Sequence, residues 1–175
     1  TAYLTLWQMK TCEQIAASIV EPGRHRENAP FRLLIVEGPD AADFLHRLST
    51  QDIRGLPVGG CSLAAFLNAK GKLLFTTCVL RFASERLGVE VAVAQAEELF
   101  ELLDRYHFTE RLTLARTEEP CGEWVRPAAP ADARQCREAE GRRTWQWVRG
   151  GVVFGRIQAD AEWFADKAWH GGAEA

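Results

Sequence analysis

Apolar positions recur along this chain with two periods, and the switches between them mark its elements. Cys12, Ile15, Ala16 and Ile19 stand at helical spacing, with Thr11 placed as N-cap. Residues 21–30 (EPGRHRENAP) are a polar, proline-flanked loop. Residues 31–36 are a short apolar run that predicts a strand. Gly38-Pro39-Asp40 then opens a helix, because proline suits a first turn where its missing N–H has no helical partner. Asp40 sets a carboxylate near the positive end of that helix. Ala41, Phe44, Leu45 and Leu48 follow on one helical face.

A β-meander is predicted next. Residues 61–67 are apolar, Asn68-Ala69-Lys70-Gly71 closes a hairpin with glycine at a left-handed position, and residues 73–82 lead back. After the polar loop 83–86, Leu87, Val89, Val91 and Val93 alternate with Gly88, Glu90, Ala92 and Ala94, the pattern of a half-buried strand. Residues 95–106 read as a helix with Leu99, Leu102, Leu103 and Tyr106 on one side, and residues 111–117 as another strand. Residues 118–143 are rich in Pro, Ala, Arg and Glu with little periodicity, which predicts a long loop. Trp145, Trp147 and Val148, the Gly150-Gly151 pair and residues 152–157 predict a second hairpin, and residues 160–169 a short amphipathic helix. The organisation expected is an α+β domain over 1–117 with a largely antiparallel sheet and flanking helices, the 118–143 loop, and a Trp-rich hairpin and tail over 144–175 packing on the same domain.

Composition narrows the function classes. A length of 175 residues fits one domain, and 47% hydrophobic with 26% charged residues is ordinary for a globular chain. A net charge of −3 gives no electrostatic footprint for nucleic acid and no attraction to an anionic membrane. No apolar run reaches the length of a membrane helix, and the first residues lack the layout of a secretory signal. Five scattered cysteines without a CxxC pair argue against a disulfide framework or a zinc ribbon, and predict reduced thiols in a cytoplasmic protein.

No catalytic signature stands out. Neither Ser49 nor Ser62 lies in a GxSxG elbow, and the four histidines show no HxH or HExxH spacing. The glycine pairs at 59–60 and 150–151 are turns rather than phosphate cradles. No catalytic residue and no metal ligand is therefore assigned. Taken alone, Lys70 and Lys72 read as solubilising charges at a hairpin tip. Trp124, Trp145, Trp147, Trp163 and Trp169 suit hairpin packing, a stacking surface or a partner interface.

The order Gly38-Pro39-Asp40-Ala41, Phe44-Leu45, Ser49-Thr50-Gln51-Asp52 and Asn68-Ala69-Lys70-Gly71-Lys72 resembles the folate-binding fold of the glycine-cleavage T-protein and the YgfZ proteins. The resemblance covers residues 31–117. It implies a tetrahydrofolate-type cofactor, with Asn68, Lys70 and Gly71 shaping the entry to the site and Thr50 and Asp52 its rim. Lys70 would meet the glutamate tail of the folate. T-proteins carry an acidic pair just after the hairpin glycine, the first acid being catalytic. Here those positions hold Phe75 and Thr76, so aminomethyl transfer is not expected.

The run Ala69-Lys70-Gly71-Lys72 resembles the YgfZ side of the family, which is associated with one-carbon metabolism and iron–sulfur enzyme maintenance. The Lys-Gly-Cys motif of those proteins is missing. The N-terminal domain of the GTPase MnmE, of the same fold group, implies a homodimer. The alternative is a ligand-free scaffold that pairs with itself or with a protein partner, and an active aminomethyltransferase stands last.

Overall fold

The computed structural model describes residues 25–26, 29–130, 133–149 and 151–166. The helix expected over Cys12–Ile19 and the end of the one expected over 160–169 lie outside these residues. Two five-stranded antiparallel sheets face each other. The first is built from β2 (Phe31–Glu37), β3 (Cys61–Leu67), β4 (Leu73–Arg81), β5 (Arg86–Ala92) and β6 (Thr113–Arg116), in the order β3-β4-β5-β2-β6. The second joins β1 (His25–Arg26), β7 (Cys121–Pro127), β8 (Gln135–Ala139), β9 (Arg142–Arg149) and β10 (Val152–Gln158), in the order β1-β7-β10-β9-β8. Helices α1 (Ala41–Leu48) and α2 (Ala96–Arg105, after a 3₁₀ turn at Val93–Gln95) belong with the first sheet, and α3 (Ala161–Asp166) follows β10. Among the described residues no helix is long and apolar enough to cross a membrane.

The α+β architecture and its antiparallel pairing agree with the sequence reading, whereas the number of sheets does not. The loop expected over 118–143 contains β7 and β8. β7 pairs with β10 from Cys121↔Gln158 to Pro127↔Val152, and β8 pairs with β9. Their periodicity is hidden for physical reasons. In β8 only Cys136 is buried among polar neighbours, and in β7 the four successive residues Glu123, Trp124, Val125 and Arg126 are all half-buried whichever face they point to.

The second sheet changes the environment of the first. One face of the first sheet packs on the helices through Leu34, Val36, Phe44, Phe66, Val79, Val89 and Leu103. The other packs on the second sheet through Leu33, Ile35, Cys61, Cys78, Leu80, Cys121, Cys136 and Trp145. β5 is therefore buried on both faces, Gly88 and Glu90 included, and not half-buried as its alternation suggests. Polar ties join the layers. Arg86 on β5 and Arg143 on β9 both donate to Glu138 on β8, each at 2.8 Å. Gln158 donates to the Thr117 hydroxyl at 2.6 Å.

Asp40 stands at the start of the helix, where its position in the sequence puts it. It occupies the N-cap of α1 but makes no side-chain cap bond. Its carboxylate instead accepts the Arg111 backbone N–H at 2.8 Å, with the Arg111 guanidinium beside it. Those bonds hold the carboxyl below its usual range.

Candidate functional site

The chain after α1 runs along the edge of β3. Ser49 bridges to Phe66, the Thr50 N–H donates to the Ala65 carbonyl at 3.0 Å, and the Thr50 hydroxyl accepts the Ala65 N–H at 3.1 Å. β3 then reaches the hairpin. The Asn68 side-chain carbonyl accepts the N–H groups of Lys70 and Lys72 at 2.9 and 3.0 Å. Gly71 donates to the Asn68 carbonyl at 2.9 Å with φ of +77°, a conformation that glycine adopts without steric cost. Asn68 and Gly71 thus build the tip, and Lys70 is exposed at its apex. Thr50, Asn68, Lys70 and Gly71 share one end of the β3–β4 hairpin. Asp52 turns away, accepting the Gly55 N–H at 3.1 Å with His46 Nδ1 3.3 Å from the same oxygen.

Beside this tip, the face of the hairpin turned toward the second sheet is left uncovered. Register places Leu63 opposite Cys78 and Ala65 opposite Thr76, so all four share a face with Cys61 and Leu80. The second sheet buries Cys61, Cys78 and Leu80, whereas Leu63 and Leu67 remain 44% and 42% exposed. Leu73, across a bulge from Leu67, is 53% exposed. Thr76 lies exposed on this open face, while Phe75 points the opposite way into the helix-side core. A threonine hydroxyl can donate and accept a hydrogen bond but holds no charge at neutral pH. The open surface is accordingly apolar, with two lysines at its rim.

Between the sheets lies a charge cluster that pattern reading missed. Glu90 is buried, accepts a hydrogen bond from the Trp145 indole, and is pushed up in pKa by burial, against the pull of Arg156. Arg156 is buried as well. It pairs with Glu123 at 3.0 Å, and its guanidinium lies 4.3 Å from the Phe31 ring centre and 4.9 Å from that of Trp147. The available signal was an arginine within the apolar run VVFGRIQ, which a solvent-facing hairpin would not have made unusual.

The thiols sit in the same layer. Burial pushes Cys121 and Cys136 up to about 12, and Cys78 is raised by its contact with Cys61. These three stay protonated at neutral pH and are poor nucleophiles. Among the described residues no group of three or more His, Cys, Asp or Glu is placed to hold a metal ion.

The burial of Glu90 has a consequence for pH dependence. Its folded pKa lies above the unfolded value, so the native state holds more protons and stability falls as pH rises through that interval. Glu90→Gln keeps an acceptor for Trp145. It should flatten the decline in denaturation midpoint as pH rises above the ordinary glutamate range. An unchanged slope would mean that Glu90 is not the group responsible.

A family model described as the GCVT N-terminal domain matches residues 27–123. The fold is similar to a crystal structure of glycine cleavage system aminomethyltransferase T from Bartonella henselae, with a TM-score of 0.70 at 17% identity over 81% of this chain. The match takes in 44% of that protein, so this chain spans less than half its length. A structure of heterotetrameric sarcosine oxidase from Corynebacterium sp. U-96, in complex with pyrrole 2-carboxylate, is similar at a TM-score of 0.51 and 16% identity, over 87% of this chain and 86% of that one. No curated protein matches the chain by sequence.

Proposed function

Since the chain belongs to the GCVT N-terminal domain family, we propose that it binds a tetrahydrofolate-type small molecule on the open half of the β3–β4 hairpin without transferring an aminomethyl group. The supporting observation is the pairing of family membership with the orientation of Phe75 and Thr76. An apolar, uncovered sheet face suits the flat part of a folate, and Lys70 and Lys72 stand at its rim for the carboxylates of the tail. The only side chain of the Phe75–Thr76 pair that reaches this face is neutral. A protein of this kind would hold the cofactor for one-carbon metabolism or iron–sulfur enzyme maintenance rather than turn it over.

Calorimetric titration with tetrahydrofolate and 5-formyltetrahydrofolate tests the reading. Saturable micromolar binding supports it, and absence of heat at high protein concentration rejects it. Lys70→Ala removes an exposed cation that no turn bond requires. It should weaken folate binding by about 1 kcal/mol, roughly fivefold, with the loss shrinking as salt is added.

A second reading has its own observation. Leu63, Leu67 and Leu73 are exposed together, as the contact face of an interaction module would be. A dimer in sedimentation that Leu63→Ser abolishes, in a protein that gives no folate heat, would favour it.

A further inference from the structure

We infer that Arg134 is a second anchor for the folate-type ligand and takes the oxygen of its pterin ring, while Lys70 and Lys72 take the carboxylates of its tail. This role rests on folate binding at the open half of the β3–β4 hairpin. Topology brings Arg134 to that face. In β8, Cys136 packs in the layer between the sheets, and Glu138 accepts from Arg86 of the first sheet at 2.8 Å. Side chains alternate along a strand, so Arg134, two residues before Cys136, falls on the same side. Its backbone is held in line, because the Gln146 side chain donates to the Ala133 carbonyl at 3.2 Å and Gln135 pairs with Gln146.

β8 crosses the first sheet from Arg86 to the start of β3. There the Cys136 N–H donates to the Gly59 carbonyl at 2.6 Å and its thiol to the Gly60 carbonyl at 3.2 Å. One step further along the same line, Arg134 stands beside the Cys61 end of the open face. The Cys61 thiol registers its presence. It is held below its usual range by the Cys78 thiol first and by the Arg134 guanidinium as well, although burial opposes both. From Cys61 the face runs through Leu63, Ala65 and Leu67, about 20 Å of strand, to the tip that carries Lys70 and Lys72.

Charge and shape select what each end would hold. No Asp or Glu occurs in residues 53–84. Two cations of that stretch are committed, Arg54 to Asp43 at 3.3 Å and Arg81 to the carbonyls of Arg54, Leu56 and Ser84. Lys70, Lys72 and Arg134 are exposed, and their side chains make no hydrogen bond or ion pair among the described residues. The face therefore has free cations at both ends and an apolar middle, which suits an elongated ligand. A lysine ammonium is a compact point charge fit for a carboxylate, whereas a guanidinium is a flat fork that only donates. Arginine reads the ring oxygen of guanine with that fork, and the 4-oxo group of a pterin stands on an equivalent ring edge. An amino group at that position would set donor against donor.

The test is calorimetric titration of the full chain with tetrahydrofolate and, separately, with its 4-amino analogue, which keeps the same tail. The parent should prefer the 4-oxo compound about tenfold. Arg134→Ala is an exposed change that should leave the melting midpoint where it is. It should weaken tetrahydrofolate about tenfold and erase the preference. Arg134→Lys keeps the charge without the fork and should restore little of the preference. Lys70→Ala, at the tail end, should weaken both compounds alike and leave the preference intact. Tetrahydrofolate affinity unchanged in Arg134→Ala, or a preference that survives it, would overturn the role of Arg134 and leave the folate site standing. Absence of heat with either compound would overturn both.

Discussion

Gly155→Val should cost the protein a large share of its stability. Gly155 lies in β10 opposite Trp124 of β7, and a Cβ added there would fall inside the indole ring, so the half-buried Trp124 side chain would have to leave its place over the strand. Overpacking typically costs about 1–3 kcal/mol, and this overlap lies at or beyond the upper end of that range. A domain of this kind holds about 5–15 kcal/mol in all, so a cost of this size removes a large share of it and loosens the second sheet first. A large fall in the thermal midpoint would record it. The double variant Gly155→Ala with Trp124→Ala removes the obstructing ring and should melt above Gly155→Val. If Gly155→Val alone melts like the parent, the packing of Trp124 over Gly155 is not as described.

Phe75→Asp is the second large effect, and it bears on chemistry. The substitution places a carboxylate where the resemblance to the T-proteins implies their first acid. Phe75 nevertheless points into the helix-side core with Phe44, Phe66 and Val79, away from the open face where Thr76 lies. The new carboxylate would replace a buried ring, losing about 3–5 kcal/mol of packing, with desolvation of the charge in addition. We expect strong destabilisation and no aminomethyl transfer. Burial raises the pKa of such an acid, so the native state would retain its proton and the variant should be least stable at high pH. Thr76→Asp, on the exposed face, should fold normally. Turnover of an aminomethyl donor by the parent protein would contradict the functional reading outright.

These expectations differ in how far the sequence foretold them. The first sheet was legible because its elements obey local rules. Ala41, Phe44 and Leu45 mark a helix face, and Asn68 to Gly71 mark a turn, and the structure buries the first set and closes the second through Asn68. The second sheet was half legible, since the Trp-bearing hairpin announces itself by alternation while β7 and β8 do not. A strand half-covered on both faces, as β7 is over Glu123–Arg126, loses the contrast between its sides that makes a period visible, and the edge strand β8 offers only Cys136 as a buried position. Glu90 shows the converse. Its position among valines satisfies an alternating pattern, so it reads as a solvent-facing residue until a second layer covers it.

The proposed site residues followed the same division. Thr50, Asn68 and Gly71 proved to be framework, committed to backbone bonds. What gathers around them, the uncovered face of Leu63, Leu67 and Thr76, depends on where the second sheet stops. That boundary is a property of tertiary packing and has no local signature.

The four thiols between the sheets give the molecule a built-in gauge of its own breathing. Cys61 and Cys78 belong to one layer, Cys121 and Cys136 to the other, and all four are buried. An alkylating reagent meets them only when the layers part, so its rate of uptake measures the frequency of that parting while the molecule as a whole stays native. Any ligand that clamps the layers would slow the reaction at all four sulfurs together, whereas fraying of β8 alone would quicken it at Cys136 first.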